Sequence, residues 1–162
     1  WRRAKKLRSI RAALMATTLA LLAGIAPFMH GTFGPPSLTL LQLALLQLAS
    51  KTASPLSYRP ALGLLLFVTL FYPAALGWGA FDPYELGYQP GALLVALIPL
   101  AGILCWRRLD NWLIILAIDL AGYASGLFAN LWDAIFDPLL VVLALIIVGQ
   151  HCLIKIIATR VR

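Results

Sequence analysis

Charge is what this sequence has least of. Of its 162 residues only 12% are Asp, Glu, Lys or Arg, and 62% are hydrophobic; an average soluble chain carries about a quarter charged residues. So few charges do not cover a water-soluble sphere of this size, and so much apolar content excludes intrinsic disorder. Cysteine is scarce as well. Cys105 and Cys152 are the only two, without Cys-x-x-Cys spacing, which excludes a disulfide scaffold and predicts reduced, buried thiols. Of the two histidines, His30 lies before the second apolar run and His151 inside the last, so they form neither a metal box nor a bis-histidine haem site. There is no glycine-rich phosphate loop. A serine nucleophile fails on depth: counted along the helices, Ser125 falls about 7 Å from one membrane face and His151 about 20 Å from it. A nucleophile and its base must lie within about 3 Å. No catalytic residue, metal or cofactor is expected.

What the sequence does have is long apolar runs. A membrane-crossing helix needs about 20 apolar residues, and six stretches approach this: 10–29, 37–54, 61–80, 91–106, 112–130 and 139–158. The runs are continuous rather than alternating, so they do not read as barrel strands, and backbone groups in lipid must be satisfied within the segment. The expected fold is all-α: a polytopic membrane protein forming a six-helix transmembrane bundle as a single domain. Stretch 37–54 is the weakest, with about a dozen uninterrupted apolar residues, and Pro99 should kink the fourth stretch. The chain opens at Trp1, so further sequence upstream is expected. The basic 1–11 segment followed by an apolar run reads as a retained first span rather than a cleaved signal.

Charge placement favours six crossings. With both termini on one side, that side holds Arg2, Arg3, Lys5, Lys6, Arg8, Arg11, Lys51, Arg59, Arg107, Arg108, Lys155, Arg160 and Arg162, all 13 basic residues. The other side holds Asp82, Glu85, Asp133 and Asp137 and no basic residue, while Asp110 lies among the basic residues and Asp119 inside the fifth stretch. This is the pattern of the positive-inside rule and predicts N-in/C-in topology in a bacterial inner membrane. The basic inner face should attract anionic lipid. Nucleic acid is not an expected partner, because the basic residues sit in short clusters between apolar runs rather than on one folded face.

Two constellations stand out. Trp78-Gly79-Ala80-Phe81-Asp82-Pro83 is nearly repeated by Trp132-Asp133-Ala134-Ile135-Phe136-Asp137-Pro138. Asp-Pro starts helices well, the Asp as N-cap and the Pro at the first helical position. The two copies, together with Tyr84 and Glu85, also predict an acidic, aromatic outer rim for binding or docking: Trp78, Phe81, Asp82, Tyr84, Glu85, Trp132, Asp133 and Asp137. The second constellation is intramembrane. Asp119 falls about 16 Å below the outer end of its span and His151 about 20 Å down its own, so a pair is geometrically available, with Gln150 and Lys155 close by. A carboxylate at that depth costs several kcal/mol (about 3 or more) unless paired, protonated or facing water. Gln42 and Gln47 read as interhelical glue, and Gly122 and Gly126 as a small-residue packing face.

Together these features predict a small inner-membrane subunit working with partner proteins. The first reading is a substrate-binding or transport component. The second is a non-catalytic scaffold for an envelope enzyme that modifies glycolipid or polysaccharide.

Overall fold

The computed structural model describes residues 34–49 and 55–160, together with residues 10, 12–19, 21, 24, 28 and 31. The expected first span is therefore described only in part. The amino-terminal basic cluster, His30, Lys51 and the end of the second stretch lie outside the described residues. Among those described the chain is all-helical: α1 Leu38–Ala49, α2 Tyr58–Ala75, a 3-10 turn Glu85–Gly87, α3 Gly91–Trp106, α4 Asp110–Ala124, the short α5 Leu131–Ile135, and α6 Pro138–Arg160.

Among the described residues only α2 and the Pro138–Thr159 part of α6 are long and apolar enough to cross a membrane. Apolar α1 and α3 have 12 and 16 residues, or about 18 and 24 Å of rise, short of a hydrocarbon layer of about 30 Å. The described residues thus show an all-helical chain with two helices of spanning length, and the expected six-helix transmembrane bundle is not shown. Helix α3 continues through Pro99.

The ends of three helices have a local cause. Helices α2, α3 and α4 each end in the same pair of backbone hydrogen bonds, one reaching back five residues and one three. Trp78 N–H donates to Pro73 and Gly77 to Ala74; Leu109 donates to Leu104 and Arg108 to Cys105; Leu127 donates to Gly122 and Gly126 to Tyr123. These are Schellman caps, which require a left-handed residue after the helix. Gly77 (φ 85°) and Gly126 (φ 80°) adopt that conformation readily, while Arg108 (φ 55°) does so without a glycine's freedom. Gly126 is therefore a helix stop and not the packing glycine expected of it.

Helix α2 packs along α6, whereas α4 packs against α1, α3 and α5. Leu43, Leu56, Ala61, Val68, Phe71, Ile115, Phe136, Leu140 and Ala144 form the buried core. Around it the usual distribution is inverted. Large apolar side chains line the outside, with Leu70 77% and Ile98 68% exposed, while Ser37, Thr39, Gln42, Asp119, Asn130 and Asp137 are buried. Cys105 and Cys152, expected in the interior, are exposed free thiols.

Candidate functional site

A cavity of about 630 Å³ lies between α2 and α3 and is lined as well by residues of α4, α5 and the start of α6. Its volume lies within the range of small-molecule pockets, roughly 300–1,000 Å³. Leu64 and Phe67 of α2 and Leu97 and Leu100 of α3 form the side walls, and Trp112 and Trp132 face it from α4 and α5. The lining is hydrocarbon and aromatic apart from Thr39 and Asp119.

Asp119 is 1% exposed, yet its carboxylate is well partnered. The Thr39 hydroxyl donates to Oδ2 at 2.6 Å and Gln42 Nε2 donates to Oδ1 at 2.8 Å. Gln42 also donates to the Ile115 carbonyl at 3.3 Å. Thr39 and Gln42 stand three residues apart on one face of α1, and this spacing was the available signal for the pairing. Gln47, on another face, is exposed. Close approach of the two helices is permitted by Gly122, where a Cβ would run into the Leu38 side chain.

Asp119 and His151 have different partners. The His151 ring stacks on Tyr58, with centroids 4.1 Å apart and planes inclined by 24°, while Gln150 and Lys155 are exposed. The physical reason is packing order: α6 lies along α2, and α4 takes its partner from α1. Helices adjacent in sequence are not the ones whose polar residues meet.

The expected outer rim divides in two. Trp78, Phe81, Asp82 and Glu85 are exposed, Trp78 at 83%. Asp82 accepts the Tyr84 N–H at 2.8 Å, closing a turn. The other residues are drawn into the fold. Asp137 is buried, and both its oxygens are used: Oδ1 accepts the Leu140 N–H at 2.8 Å and Oδ2 the Ser37 N–H at 2.9 Å. One carboxylate thus caps α6 and anchors the start of α1, whose own cap is the Ser37 hydroxyl accepting from Leu40 N–H. Asp137 is a capping residue and presents nothing to an outside partner.

Tyr84, Trp132 and Asp133 join the two halves of the rim. The Tyr84 hydroxyl donates to Asp133 at 3.0 Å, Trp132 Nε1 donates to the Pro83 carbonyl at 2.8 Å, and Asn130 Nδ2 donates to the Tyr84 carbonyl at 3.0 Å. Asn130 also caps α5 by accepting the Trp132 N–H. Gly87 closes the joint, since a Cβ there would meet the Asn130 side chain and the Trp132 ring. Burial pushes the Asp133 carboxyl above its usual range, opposed by the Tyr84 hydrogen bond. The Tyr84 phenol is pushed up by burial and then by its bond to Asp133. Asn130 and Gly87 were not singled out in the sequence; their roles depend on contacts across more than 40 positions.

Among the described residues no group of three or more His, Cys, Asp or Glu could hold a metal ion. No family model matches the chain, and comparison with curated proteins and with solved structures finds no match either.

Proposed function

We propose that this chain is a multi-pass membrane subunit, with both termini inside, that binds a hydrophobic substrate within the bilayer as the substrate-binding component of a transport system. The cavity between α2 and α3 carries the reading: a ligand-sized apolar space with a buried carboxylate in its wall. Two other features support the membrane part. Large apolar side chains cover the outside of the helices, and patches this extensive need a cover. With six crossings all 13 basic residues fall on one side, as the positive-inside rule requires. The short helices α1, α3 and α4 cross in this reading with capped turns at headgroup depth. The host is a bacterial inner membrane, and anionic lipid gathers at the basic face.

The test is native mass spectrometry of the full chain extracted from membranes in mild detergent. An apolar molecule is expected at about one per chain, and Ala96→Phe or Gly63→Phe, at small residues that line the cavity, should remove it. A chain that carries nothing, with or without these substitutions, overturns the proposal. The accessory-subunit reading is favoured by one observation, the exposed Trp78, Phe81 and Tyr88. It predicts that Trp78→Ala and Phe81→Ala release a large envelope enzyme from the purified complex while Ala96→Phe does not.

A further inference from the structure

The binding reading above leaves the ligand's chemistry open, and the cavity wall constrains it. Thr39 and Asp119 are the polar residues on an otherwise hydrocarbon and aromatic lining. The Thr39 hydrogen is already donated to Asp119, so this hydroxyl does not serve a ligand that needs a donor. Acceptor capacity remains. A carboxylate has about four lone-pair sites, and Asp119 receives one hydrogen bond on each oxygen, from Thr39 and from Gln42. Both donors are neutral, so among the described residues the carboxylate has hydrogen bonds but no opposite charge. In a low-dielectric surrounding an uncompensated charge is costly, and a ligand that brings protons or positive charge relieves it.

We infer that the cavity selects single-chain amphiphiles whose head group donates hydrogen bonds to Asp119, a protonated primary amine before an alcohol, over the acid or ester of the same chain. An amine supplies three donors and the missing charge, and an alcohol supplies one donor. A fatty acid offers a like charge, and a methyl ester only acceptors. Charge-assisted bonds of this kind correspond to a preference of about 10- to 100-fold.

The cavity carries its own reporters, Trp112 and Trp132. With Trp1, Trp78 and Trp106 changed to Phe in the full chain, these two remain. Their fluorescence is then titrated in neutral detergent with 18-carbon chains brominated at mid-length and ending in an amine, an alcohol, a carboxylate or a methyl ester. Saturable quenching in the order amine, alcohol, then acid and ester is expected. Asp119→Asn should level the amine with the alcohol while leaving quenching by the chain itself. Thr39→Val, which frees a carboxylate lone pair, should widen the amine preference even if Asp119→Asn fails to fold; a merely structural Thr39–Asp119 bond would leave the ratio unchanged. Equal quenching by all four heads overturns the head-group inference and leaves the cavity reading standing. The absence of saturable quenching by any of them, unaltered by Ala96→Phe, overturns both.

Discussion

Phe81-Asp82-Pro83 and Phe136-Asp137-Pro138 are the same tripeptide in opposite environments. Phe81 is 60% exposed, whereas Phe136 is 6% exposed and packs edge-on against Phe67, Phe71 and Tyr72. Asp82 closes a surface turn with its own loop; Asp137 starts a 23-residue helix and holds an amide from 100 positions away. Asx-type capping is local and occurs at both sites, because it needs only a carboxylate two or three residues before an N–H. Burial is not local. It follows from α6 having α2 to pack against, and from α1 presenting the Ser37 amide to the second oxygen.

The matched positions allow the comparison to be broken in pairs. Asp137→Ala removes a helix cap and strands the buried Ser37 amide, together worth about 3 kcal/mol. Asp82→Ala should stay within about 0.5 kcal/mol, as surface substitutions do. Thermal or SDS unfolding of the purified chain compares the two, and equal losses would mean that the Ser37 bond contributes nothing. Next comes Gly87→Ala against Gly79→Ala. The added methyl at Gly87 collides with Asn130 and Trp132, whereas at Gly79 the nearest atom is 4.0 Å away. Such overpacking costs about 1–3 kcal/mol, read as faster amide exchange over residues 83–90, while Gly79→Ala should leave exchange unchanged.

A smaller effect is expected at the tryptophans. Trp132→Phe loses the bond to the Pro83 carbonyl, about 1 kcal/mol, while Trp78→Phe, on an exposed ring, should fall below the error of the same unfolding measurement. The smallest is a pH dependence. The folded joint raises the Asp133 pKa above 3.8, so the folded state holds that proton more tightly than the opened chain. Stability from this group is then full below about 3.8 and declines as pH rises through the folded value. Amide exchange at 131–135 should accelerate modestly over that interval, and Asp133→Asn should flatten the response; an acceleration on acidification would contradict the sign.

Much of the chain could be read before its packing was known. The all-helical class, the Asp137-Pro138 helix start and the turn at 82–85 follow from apolar runs and cap residues. Span lengths were harder. The 61–80 and 112–130 runs stay apolar past Gly77 and Gly126, so hydropathy extends helices that Schellman caps end at Ala75 and Ala124. The polar site was legible only as the need of Asp119 for a partner. Depth along the helices made His151 available, but depth carries no azimuth, and Thr39 and Gln42 are the residues that face it.

Composition and order alone determined that these segments are helices, that their outsides are apolar and that Asp82, Glu85, Asp133 and Asp137 fall in stretches without a basic residue. Each of these depends on interactions within one or two turns or on the solvent that a side chain can tolerate. Tertiary structure decided which of two identical tripeptides is buried, which donors Asp119 receives and that a cavity is left between α2 and α3. The hydrogen bonds among them join residues 77 to 100 positions apart, and no local rule specifies which helix faces meet until all of them compete for the same buried surface.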